Sequence, residues 1–415
     1  MDFELECVSS AGARFAELAE KHAAECAVTA DQHDRDGSFP RERWAEMGRS
    51  GFLAATVPEE LGGLGVASIR DLVVGISRLA RGDGSVAIGA AMHTTALWNF
   101  SRLMSTALDQ GGEAPVGRQI RLLLRAAARG RVVICVALSE RGTSLGHPRV
   151  TATADGAAYR ISGTKVFCTN SPAATLFLCS VRIRSGNAPD RLGFALIPRD
   201  TPGVAVRDDW DAMGMRSSGS GAVSLGDCLL PEHVVMQAGP VGSLPADMFT
   251  LAVAGALVLA GAFLGIAEHA QNITVDRIGR GPGERGGAGQ AARGTVQAMI
   301  AENEIDLTSS RAVLDRAGHL LDQRLSEASG RSESAEMHSL MREVQCSNMV
   351  VKRAAINVVD RCMTLSGGAG YLSASTLSRL YRDVRAGLFM QPFSALDAPE
   401  YIGQVRLGLD TELDG

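Results

Sequence analysis

Residues 366–403 read SGGAGYLSASTLSRLYRDVRAGLFMQPFSALDAPEYIG. Two adjacent glycines, Gly367 and Gly368, open the stretch and leave the backbone bare, which allows a ligand to approach it closely. Arg382 and Asp383 follow as a neighbouring pair of opposite charge, and eight residues past Asp383 stands Gln391, then Pro392 and Phe393. A glutamine amide cannot remove a proton from carbon at neutral pH. The segment thus offers a binding surface whose far end carries an amide, with Asp397 and Glu400 as the next carboxyl groups along the chain.

The 415 residues are 46% hydrophobic, enough to bury a large core spread over two or three units. Formal net charge is −5 and no basic block interleaves with aromatics, which argues against a nucleic-acid surface. Eight cysteines show neither CxxC spacing nor a His/Cys cluster. They fit thiols in a reducing cytoplasm, with no metal site. The acidic N-terminus, MDFELECVSS, has no basic-then-apolar signal region. Residues 249–267, FTLAVAGALVLAGAFLGIA, form an uncharged run near membrane-spanning length. That run is rich in Ala and Gly, lacks basic or aromatic anchors and continues into polar residues 268–277, so a buried bundle helix is expected and no membrane contact.

Three regions separate by pattern. Residues 1–130 read as helical: Ala11–Glu25 is amphipathic, Pro40 opens a second helix, and Ile69–Ala80 is apolar at helical spacing. Between Arg131 and Met236, short β-branched runs punctuated by Gly, Asp and Pro read as strands of an antiparallel β-barrel or sandwich. Helical spacing returns over 246–277, 292–324, 334–366 and from about Ala398, with the Gly/Arg-rich residues 279–293 as a loop. The layout is α+β.

Several local motifs fall in order along this layout: Phe39-Pro40 with Trp44 and VPEELGGLG (57–65); Ala137-Leu138-Ser139-Glu140 with Gly142 and Ser144; GTKVFCTN (163–170); WDAMGMRSSGS (210–220) with Leu230-Pro231-Glu232; and the Gly367–Asp383 stretch. Their order and spacing resemble the acyl-CoA dehydrogenase family over nearly the whole chain. The resemblance implies an N-terminal helical domain (1–130), a central antiparallel β-domain (131–240, its last strand including 210–220) and a C-terminal four-helix bundle (241–415), assembled as a homotetramer or dimer. It also implies FAD, held partly by the neighbouring subunit through an arginine-bearing loop and the glycine pair. Arg277 stands at the arginine position, Arg280 replaces a phenylalanine and Thr364 a glutamine, so FMN or diffusible reduced flavin becomes an alternative. Phe167 would stack on the flavin ring, and Ser139 and Thr169 would bond its edge. Taken alone, Phe167 would read as core and Thr169 as a turn residue.

In that family a catalytic glutamate stands where this chain has Gln391, and a second known position for the base, near Ala254-Gly255, also lacks a carboxyl group. The same superfamily contains two-component flavin monooxygenases, which take reduced flavin from a partner reductase and do without the glutamate. The expected function is therefore a flavin-dependent monooxygenase or oxidase acting on a small or carrier-bound biosynthetic substrate. His93, in a position where several such enzymes carry a histidine, and Gln391 would line the substrate side, with Ser139 as a donor near the reacting centre. A satisfied core histidine is the plain alternative for His93. The rival functions are an acyl-thioester dehydrogenase whose base has moved to Asp397 or Glu400, and a flavin-binding scaffold without turnover. His147 and Arg216 are further polar candidates, Arg216 more simply as part of a structural or interface ion pair.

Overall fold

The computed structural model describes residues 4–109, 115–186, 188–280, 289–327, 334–390 and 392–409. Helices α1 (Ser10–Asp36), α2 (Arg41–Arg49), α3 (Ile69–Ala80), α4 (Gly84–Asp109) and α5 (Pro115–Ala128) form the N-terminal unit. Local chemistry sets their ends. The Ser9 hydroxyl accepts from Gly12 N at 2.9 Å to start α1, and Gly37 at φ 62° stops it. Pro40 caps α2, and the apolar spacing of 69–80 becomes α3 with the same bounds.

The central unit is one eight-stranded sheet: β1 (Ile134–Ala137), β2 (Thr151–Asp155), β3 (Ala158–Lys165), β4 (Leu176–Ser185), β5 (Ala188–Pro198), β6 (Val204–Val206), β7 (Val223–Pro231) and β8 (Val235–Pro240). Strand order is β6-β7-β3-β2-β4-β5-β8, with β1 also on β4. The sheet is mixed rather than antiparallel, because β1 and β2 both run parallel to β4. The irregular connections 138–150 and 166–175 are long enough for crossovers, whereas alternation along a strand fixes its faces and not its neighbour's direction. Residues 210–220 are not strand; β7 begins only at Val223.

The C-terminal unit holds α6 (Ala246–Arg280), α7 (Gly294–Glu327), α8 (Ser334–Ser366), α9 (Gly368–Tyr371), α10 (Thr376–Asp383) and α11 (Asp397–Leu407). Of the expected loop at 279–293, residues 279 and 280 continue α6, 290–292 make one 3-10 turn, and 281–288 lie outside the described residues. The long apolar helix α6 is the hub of the molecule, with 89% of its most apolar eighteen residues buried by protein. Its glycines let α3 come close: a Cβ on Gly261 would sit 2.7 Å from Val73 O, and one on Gly265 2.1 Å from Ser77 O. The Asp322 carboxylate of α7 accepts from Ile69 N (2.7 Å) and the Ser68 hydroxyl (2.5 Å), capping α3 and tying the bundle to the N-terminal unit.

Candidate active site

A cavity of about 580 Å³ opens where the three units meet, a size and position typical of small-molecule sites. Its walls come from α4 (Ile88, Met92), loops of the β-unit, α6 (Met248, Leu259) and the segment after α10. Phe167, Ser139 and Thr169, expected together from the sequence, all line it.

The turn after β3 is shaped to present Phe167. Its φ is 53°, a left-handed conformation that a bulky residue rarely adopts, and its side chain is 65% exposed. The ring meets Trp210 edge-on, centroids 6.1 Å apart. Asn170, also left-handed and fully buried, holds the turn by donating its amide to Ile134 O at 3.2 Å and Gly89 O at 3.4 Å. Ser218 and Ser220 lie 2.7 Å apart, and Ser220 donates to the Thr169 hydroxyl at 3.0 Å. With Ser220 as the donor, the Thr169 hydroxyl proton is not used in that bond. An exposed aromatic face flanked by hydroxyl donors in an apolar cavity suits the ring of a flavin.

Glu140 is the one carboxylate among the described residues lining the cavity, and it is spoken for. Lys165, 0% exposed, donates to Glu140 at 2.6 Å, to Ser180 at 2.9 Å and to Leu138 O at 3.3 Å. Arg149 N and Val150 N bond the same carboxylate at 2.8 and 3.2 Å. Sequence reading placed both residues inside motifs and missed that they pair. Their shared burial follows from Lys165 ending β3 beside the Ser139 loop, a long-range register invisible in one sequence.

The Arg382-Asp383 pair positions the cavity wall. Arg382 forms two parallel bonds with the Asp34 carboxylate and donates to Met213 O at 3.0 Å. Asp383 accepts from Met215 N at 2.6 Å, and burial pushes its carboxyl pKa up to about 7. Gly214 packs so tightly against this pair that a Cβ would lie 2.3 Å from Arg382 O. The 213–215 turn, which lines the cavity, is thus clamped to both helical units.

Other expected residues lie elsewhere. His93 is fully buried and does not line the cavity: its Nε2 donates to Leu53 O at 2.9 Å, and its Nδ1 accepts from Ile134 N at 3.0 Å. Both ring nitrogens are engaged by backbone, so the substrate-side role is corrected to a brace between α4 and β1. Burial lowers its pKa to about 4. Asp397 accepts from the Ser394 hydroxyl and Glu400 from Gln404, and neither lines the cavity. Gln391 lies outside the described residues, though Met390 and Pro392 beside it line the wall. Arg277 is exposed near the end of α6, and Arg280 is its last residue. Gly367 and Gly368 face open space, and packing of Ile278 with Leu365 puts them at the same end of the bundle as Arg277, away from the cavity. His147 bonds Ser144 at 3.1 Å within the loop over the cavity. Arg216 donates to Asp34 O and Ala212 O, a structural tie.

Fold and cavity together define a three-unit enzyme of the acyl-CoA dehydrogenase type. Profiles for the N-terminal, middle and C-terminal domains of acyl-CoA dehydrogenases match residues 13–108, 135–228 and 257–391, and the chain belongs to that family. Among its relatives, the amino sugar nitrososynthase DnmZ of Streptomyces peucetius is 34% identical over 400 residues, covering 96% of this chain and 94% of that one. The L-evernosamine nitrososynthase of a Micromonospora species is 34% identical over 393 residues, covering 93% and 89%. Of solved structures, KijD3 with FMN and a dTDP-linked amino-keto sugar superposes with a TM-score of 0.89 at 29% identity, covering 98% and 96%. The chain is a flavin-dependent oxidoreductase whose strong likenesses are to nitrososynthases rather than to dehydrogenases.

Proposed function

We propose that this protein is a flavin-dependent monooxygenase that oxidises the amine nitrogen of a nucleotide-linked amino sugar. The observation that carries the reading is the locked carboxylate: Glu140 is held by Lys165 and two backbone N–H groups, so no described lining residue can act as the base that a dehydrogenase needs. The nitrososynthase relatives, similar over nearly the full chain, supply the substrate class. FMN in the KijD3 complex makes FMN a fitting form of the flavin, although the sequence resemblance pointed first to FAD.

Bound reduced flavin would supply two electrons to dioxygen, one oxygen atom passing to the nitrogen and the other leaving as water. The protein's own residues prepare that event. Phe167 gives the ring a face to stack on, the Thr169 hydroxyl donates to its edge, and Ser139 stands ready as a second donor on the same wall. Met248, Leu251 and Leu259 make the α6 part of the wall apolar, which would protect a reactive oxygen species from water. Reduced flavin would come from a separate reductase, and the exposed Gly367-Gly368 end of the bundle would meet another subunit of a homo-oligomer.

The test supplies purified protein with FMN, a flavin reductase, NADH and a dTDP-amino sugar under labelled dioxygen, with mass spectrometry of the product. Incorporation of label into the sugar is expected. Anaerobic bleaching of bound oxidised flavin by an acyl thioester, without label in the sugar, would replace this reading by the dehydrogenase one.

A further inference from the structure

The described residues of the cavity wall carry three formal charges, and two are already neutralised. Glu140 is paired with Lys165, and Arg382 with Asp34. The third, Arg385, has no carboxylate within ion-pair distance among the described residues. Its guanidinium lies over the Tyr381 ring, 4.9 Å from the centroid, and one Nη donates to the Tyr381 hydroxyl at 3.0 Å. Stacking and that single bond fix the plane of the guanidinium while leaving most of its five N–H donors unspent.

An uncompensated, pre-oriented arginine in the wall of an otherwise apolar cavity is expensive to keep there without an anion. The planar fork suits a phosphate, which it can bond with two parallel N–H groups. Two phosphates could enter this cavity, that of the flavin and that of the substrate. The residues suited to the flavin ring, Phe167, Thr169 and Ser139, all lie on β-unit loops. Arg385 lies on the helical side, in the 3-10 segment Val384–Phe389, beside Phe389 and Met390.

We propose that Arg385 is the substrate-phosphate anchor of this site, binding the diphosphate of a nucleotide-linked substrate and so fixing where its sugar reaches the flavin. The proposal rests on the monooxygenase reading for the identity of the ligand, and on the charge inventory of the wall for the residue. Arg382 is already committed elsewhere: its charge is neutralised by the Asp34 carboxylate, which two of its N–H groups bond, and a third N–H is held by Met213 O.

The test measures binding of dTDP, inorganic pyrophosphate, FMN and riboflavin by calorimetry to the full-length protein and to Arg385→Gln and Arg385→Lys. Arg385 is half-buried at the cavity edge, and a melting curve on each variant checks that it folds. Loss of a charge-assisted pair predicts dTDP binding about 10- to 100-fold weaker in Arg385→Gln, partly restored in Arg385→Lys, with FMN unchanged. Equal dTDP binding in wild type and Arg385→Gln would overturn the assignment while leaving the monooxygenase reading intact. Weakened FMN with unchanged riboflavin and dTDP would overturn it too, by giving Arg385 to the flavin phosphate. Arg385-dependent binding of pyrophosphate without any of dTDP would support the anion site and sink the nucleotide-sugar substrate. A wild-type protein that binds neither would end both.

Discussion

Replacing Lys165 by methionine keeps the length of the side chain and deletes its charge. The side chains of Lys165 and Glu140 are 0% and 4% exposed, so water screens neither, and the full cost of an orphaned buried charge applies. Removing one partner of such a pair costs about 3–5 kcal/mol. Arg149 N and Val150 N still bond the Glu140 carboxylate at 2.8 and 3.2 Å, which spreads part of its charge. The expected loss is therefore near the lower bound, about 3 kcal/mol. The double variant Lys165→Met with Glu140→Gln removes both charges, keeps an amide oxygen to accept from Arg149 N and Val150 N, and should recover more than half of that loss. Urea unfolding followed by tryptophan fluorescence reads the difference as a shift of midpoint at constant slope. A single variant within ~0.5 kcal/mol of wild type, the scatter of an ordinary surface change, would refute the view that this carboxylate is structural. A double variant weaker than the single one would do the same.

Phe167→Ala should weaken FMN binding roughly tenfold, the loss of one aromatic stacking contact, read from quenching of flavin fluorescence; an unchanged affinity would remove Phe167 from the flavin contacts. The pH dependence of stability should carry a mark of His93. Its pKa falls from 6.5 unfolded to about 4 folded, so the neutral form favours the fold. That contribution is complete above pH 6.5 and is lost as pH falls toward 4, by about 3 kcal/mol in all. Stability of His93→Gln measured from pH 7.5 to 4 should therefore fall less steeply than that of wild type, and parallel curves would count against the buried neutral imidazole. Gly265→Ala, which forces a Cβ against Ser77 O, should lower stability by about 1–3 kcal/mol on thermal melting, whereas Gly279→Ala, where a Cβ meets nothing within 4 Å, should stay within ~0.5 kcal/mol of wild type.

Much of the architecture was legible because it is written locally. The apolar spacing of 69–80 delivers α3 with its own bounds, and the uncharged run at 249–267 reads correctly as the interior of a bundle, since Ala and Gly allow the close crossing on α3. That Phe167, Ser139 and Thr169 share one cavity wall follows the order of their motifs along the chain. What stayed hidden depends on partners distant in the chain. Parallel pairing of β2 with β4 needs a register no single strand records. A histidine inside an apolar helix looks the same whether its ring faces a ligand or two backbone groups, and only Leu53 O and Ile134 N decide for His93. Residues 210–220 resemble strand by motif, yet serve as a clamped irregular turn because Arg382 and Asp383, far along the chain, hold them.

The cavity belongs to no single unit of the protein. One wall is α4, another the loops of the sheet, and the rest is α6 and the segment after α10. Such a site behaves like a logical conjunction: it exists only while all three parts are docked, and loosening any one of them erases it at once. Activity should therefore vanish on heating before secondary structure does, and a change of substrate could be acquired from a substitution in any of the three, each moving one wall against the other two.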